Sequence, residues 1–72
     1  MTRADLIQRA ERAVAFHAGI IALAAGPKSA WRGKPEAASF FFAGRDRRAK
    51  VVRHHKALLE GAEAELSALR AP

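Results

Sequence analysis

The chain has 72 residues, half of them apolar, no cysteine and a formal charge of +6 at neutral pH. That length allows one small domain with little stability to spare. The apolar half argues against a disordered chain, and the missing cysteines exclude disulfides and thiolate metal sites.

The first helix is announced at Thr2. Thr2 followed by Asp5 resembles a capping box, with Asp in place of the usual Glu. Leu6, Ile7, Ala10, Ala13, Val14, His17, Ile20, Ile21 and Ala24 then recur in steps of three and four, a helical period. Gly26 offers a left-handed stop and Pro27 forbids continuation, so helix one covers about residues 3–25. The apolar run AVAFHAGIIALAAG, residues 13–26, is too short to span a bilayer and carries His17 in its middle. It also mimics a signal peptide, but an amphipathic segment with Asp5 and Glu11 precedes it. A buried helix is the better reading, with no membrane partner. The missing cysteines fit a reducing, cytoplasmic setting.

PKSAWRGK is a connection without a period. Pro35 suits a first helical position, and Glu36 follows in the favourable first turn. A second stripe runs through Ala37, Phe40, Phe41, Gly44, Arg48, Val51, Val52, His55, Leu58, Leu59, Ala62, Leu66 and Leu69. Helix two therefore covers about residues 35–70, with a break near Ala43–Gly44 as the alternative. The expected fold is all-α, one antiparallel helical hairpin. At about 1.5 Å per residue the arms measure roughly 35 and 50 Å. Leu58, Leu59, Leu66 and Leu69 then overhang helix one, and Phe16, Ile20 and Leu23 form a second apolar strip on it. An isolated hairpin covers neither surface. A homodimer, as a two-fold four-helix bundle, is expected to bury both.

Charge is concentrated in the middle of the chain. Residues 1–27 carry net +1, 28–56 net +7 and 57–72 net −2. Such a middle favours an anionic partner: an acidic protein surface or nucleic acid. On a helical wheel Phe40 and Phe41 fall with the core residues, whereas Phe42 shares a side with Arg45, Arg53 and Lys56. Lys50 and Arg47 spread over the remaining polar face. Trp31, Arg32, Phe42, Arg45, Arg47, Arg53 and Lys56 are the candidate partner-binding surface, because aromatic and arginine anchors dominate interfaces. A plain solvated face is the competing reading. No helix-turn-helix, zinc-finger or RNA-binding sheet motif is present.

His17, Arg48 and His55 fall inside the apolar stripes. A charge buried alone costs several kcal/mol, so a polar layer with partners is expected, supplied by Glu11 or Asp5 of helix one or by an acid of a dimer mate. A pH-sensitive layer is an alternative. No metal is expected, since adjacent His54 and His55 point about 100° apart. Glu60, Glu63 and Glu65 read as a solvated helix end, or as a match for the basic region of a dimer mate.

Catalysis is not expected. The chain has no cysteine or tyrosine, and only Ser29, Ser39 and Ser67 as hydroxyl nucleophiles of that type. No carboxylate pair has acid–base spacing, and AGPKSAWRGK lacks the phosphate-loop spacing. No cofactor is implied.

In plan, TRADLIQRAERAVAFH, a short loop, and a long helix ending HHKALLEGAEAELSALR resemble the small helical accessory proteins of bacteriophages and mobile elements. Anti-CRISPR proteins and other inhibitors of host machinery belong to that group. The resemblance implies a non-enzymatic blocker that occupies a host protein's surface. Direct DNA or RNA binding by residues 45–56, and a purely structural self-assembly module, are the competing functions.

Overall fold

Thr2 and Asp5 satisfy each other across the first turn. In the computed structural model, which describes residues 1–35 and 44–71 apart from the Lys28 and Ala30 side chains, the Thr2 hydroxyl accepts from the Asp5 N–H at 3.2 Å. The Asp5 carboxylate accepts from the Thr2 N–H at 3.1 Å. The two bonds answer two of the N–H groups that a helix start leaves unpaired. They hold the Asp5 carboxyl below its usual range, chiefly through the Thr2 backbone N–H.

Helix α1 runs Arg3–Ala25. Gly26 ends it, but not in the left-handed conformation expected. Its φ and ψ are −85° and 176°, extended backbone. Glycine is needed there for space: a Cβ would lie 2.8 Å from the Ala22 carbonyl oxygen. The left-handed glycine is Gly33, at φ +74°. Arg32 at φ −61°, ψ 126° precedes it, and the Lys34 N–H bonds to the Trp31 carbonyl at 3.0 Å. This is a type II turn, whose third position requires positive φ.

Between Pro27 and that turn, Lys28–Trp31 forms one 3-10 turn. It folds the connection back over the end of the hairpin and delivers the Trp31 ring into the interior. Trp31 is 4% exposed. It packs with Ile20 and Ala24, flanked by Leu23, Val51 and Val52. Its indole N–H donates to the Leu23 carbonyl at 2.6 Å. That carbonyl is one of the last four of α1, which have no partner within the helix.

Helix α2 runs Arg45–Arg70. It does not extend unbroken from Pro35, because Gly44 is extended at φ −71°, ψ 168° and caps the helix without a side chain. The expected helix over 36–43, with the Phe40, Phe41 and Phe42 placements, lies outside the described residues.

The arms are therefore nearly equal, 23 and 26 residues. Arg3 at the start of α1 ties the free ends of the two arms together and helps to fix their antiparallel register. Its guanidinium donates to the Leu69 carbonyl at 2.7 Å and the Ala71 carbonyl at 2.6 Å. A cation there satisfies free carbonyls and complements the negative end of the α2 dipole. The molecule measures 44 × 23 × 17 Å, one layer of two helices about 10–12 Å wide. Between the two described helices the interior is a narrow seam. Among the described residues the buried apolar ones are Ala10, Ile20, Ala24, Trp31 and Ala62; the two large ones both lie at the Trp31 end.

Candidate functional site

The N-terminal half of α2 places positive charge where helix physics disfavours it. A helix N-terminus is positive, and cations in its first turn cost about 0.3–1 kcal/mol each. Gly44 brings no capping side chain, yet Arg45, Arg47 and Arg48 follow, with Asp46 as the single acid of the turn. Arg45, Lys56, Arg53, Lys50 and Arg47 then sweep about 200° of the helix circumference. All five are exposed. Among the described residues the only ion pair joins Arg70 and Glu11, at 3.4 Å and solvated on both sides, so none of the five is neutralised by it. Arg32 is exposed in the type II turn.

Trp31 does not belong to this surface, a correction to the sequence reading. The 3-10 turn buries it, so its ring is not free to anchor a partner or stack on a base. Arg48 lies against it, guanidinium carbon 5.5 Å from the ring centroid. The Arg48 Nε is buried and has no hydrogen-bond partner among the described residues. Neither acid expected to serve Arg48 does so: Asp5 caps α1, and Glu11 faces Arg70. Phe42, the other aromatic anchor expected, lies outside the described residues.

The apolar surfaces also differ from expectation. Ile20 is 8% exposed and Leu23 half-buried, both covered by Trp31; the connection, not a second chain, covers that part of the strip. Leu59, Leu66 and Leu69 are half-buried, since arms of nearly equal length leave little overhang. Phe16 and Leu58 remain open, 58% and 41% exposed.

His17 of α1 and His55 of α2 meet directly, Nδ1 to Nδ1 at 2.8 Å. Phe16 stands edge-on to both rings, with centroids 5.3 and 6.1 Å away. One Nδ1 must donate and the other accept. Two imidazolium rings would oppose N–H to N–H, so the contact tolerates at most one charge. Burial lowers the His55 pKa below 6.5, and His17 and then His54 lower it further. A depressed folded pKa means that the unfolded chain binds the proton first. The His55 contribution is therefore complete above about pH 6.5 and is lost as pH falls from there through the folded pKa. The urea midpoint is expected to be lower at about pH 5 than at about pH 7.5, and His17→Leu/His55→Leu is expected to flatten that difference. An equal slope in the double variant would remove the pair as its source.

Among the described residues, no cluster of three or more histidine or acidic side chains could hold a metal ion. None of the described helices is long and apolar enough to cross a membrane. No protein-family model, curated protein or solved structure matches the chain.

Proposed function

We propose that this protein is a non-enzymatic binding module that lays the basic half of α2 on an acidic surface of a host protein. It acts as an inhibitor or regulator of the kind that bacteriophages and mobile elements encode, in the cytoplasm. The observation that carries the reading is the cationic start of α2. Arginines there oppose the helix dipole, and none of Arg45, Arg47 and Arg53 has a hydrogen bond or ion pair among the described residues. Charge placed against stability and left unpaired fits a surface kept for a partner. Phe16 and Leu58, exposed and apolar, suit a contact between two copies. Light scattering at micromolar protein, with Phe16→Ser/Leu58→Ser for comparison, checks that part: a dimer that the double variant splits is expected, and a monomeric wild type would overturn it.

Nucleic acid is the second reading, favoured by the arginine content of the same arc. The burial of Trp31 weighs against it, because an accessible base-stacking ring is lost. Fluorescence anisotropy of labelled single- and double-stranded oligonucleotides, at low and near-physiological salt, separates the two. The protein-surface reading expects any binding at low salt to vanish at physiological salt. Binding that survives there would transfer the function to nucleic acid.

A further inference from the structure

We infer that the groove between the end of α1 and the start of α2 is a binding site for a phosphate group. This goes beyond the proposed protein contact and does not rest on it. The groove has a volume of about 440 Å³ and is lined by Arg45, Arg48, Arg53, Ala24, Ala49 and Val52. Three arginines thus line one open groove. Its other walls are Ala24, Ala25, Ala49 and Val52, whose side chains carry no charge. Among the described residues no carboxylate lines it. Three like charges so placed repel one another, and an oxyanion between them removes that cost.

Arg48 supplies a second and independent observation. Its Nε is buried and unbonded among the described residues, while its guanidinium rests on the buried Trp31 ring. A buried donor left unmade costs about 1–3 kcal/mol. The ring contact holds the guanidinium plane but cannot satisfy an N–H in that plane. Arg48 lines the groove as well as the ring, and guanidinium groups bind phosphate oxygens through paired N–H donors. A carboxylate is the weaker match, because a single negative charge leaves three guanidinium groups poorly balanced.

Trp31 is the only tryptophan, so its fluorescence reports on Arg48. The experiment titrates inorganic phosphate, then pyrophosphate, then an oligodeoxynucleotide without terminal phosphate, each at constant ionic strength set with chloride. A saturable change in Trp31 emission is expected with at least one probe. Arg53→Gln, an exposed position whose replacement spares the interior, is expected to weaken it about tenfold, and Arg48→Lys by at least as much. Lys50→Gln, outside the groove, is expected to change it less than twofold. Saturation by phosphate or pyrophosphate alone identifies a free phosphate ligand. Saturation by the oligonucleotide, displaced by phosphate, identifies the backbone of a nucleic acid. No saturable change with any probe, or equal weakening by Arg53→Gln and Lys50→Gln, overturns the site.

Discussion

Replacing Trp31 by alanine is expected to unfold the hairpin or bring it to the edge of unfolding. Deleting a buried tryptophan costs about 3–5 kcal/mol. A chain of this length has roughly 4–10 kcal/mol of stability in all. Trp31 is one of only two large buried apolar side chains among the described residues, and the other, Ile20, packs against it. Its loss also removes the indole bond to the Leu23 carbonyl, exposes Val51 and Val52, and takes away the surface on which Arg48 rests. Trp31→Phe keeps most of the burial but loses the N–H bond, a cost of about 1–2 kcal/mol. Circular dichroism through a urea titration measures both. A Trp31→Ala midpoint within error of wild type would mean that the seam does not depend on this ring.

Reversing the charge at Arg47 and Arg53 is expected to abolish partner binding while leaving the hairpin intact. Both side chains are exposed, and neither has a hydrogen bond or ion pair among the described residues, so the fold loses nothing that they supply. Exposed substitutions of this kind stay within about 0.5 kcal/mol. At position 47, in the first turn, glutamate suits the helix dipole better than arginine does, by about 0.3–1 kcal/mol. Stability should therefore hold or rise slightly. Binding should fall by at least about a hundredfold, because each charge-assisted contact contributes about 1.5–3 kcal/mol and reversal adds repulsion. The two effects have opposite signs, which separates a surface reserved for a partner from one that supports the fold. Loss of helicity in Arg47→Glu/Arg53→Glu would contradict this account.

Features governed by local chemistry were legible in the sequence. The Thr2–Asp5 cap, the span of α1, the hairpin and the basic half of α2 follow from spacing over three or four residues. What was missed depends on residues distant in the chain. Trp31 lies in an aperiodic connection, and its burial needs both the 3-10 turn and the type II turn at Gly33 to fold that connection inward. Ile20 reads as part of an uncovered strip as long as only helices are counted as cover, whereas the connection supplies Trp31. Arg3 reads as a solvated cation until α2 ends beside it. Gly44 breaks the second stripe, and its glycine is the signal; a stripe read without that break gives unequal arms and a leucine overhang. His17 and His55 were placed in one layer by the wheel, but their direct pairing follows from the register that Arg3 helps to fix.

The most direct test places a photo-crosslinking amino acid at Lys50, midway round the basic arc, and irradiates the protein in host extract at physiological salt after nuclease treatment. The account predicts an adduct with a discrete acidic protein, lost when Arg47→Glu/Arg53→Glu is added and absent when the crosslinker is moved to Glu63. No adduct, or an adduct indifferent to the charge reversal, would contradict the claim that the start of α2 is a docking face for a protein.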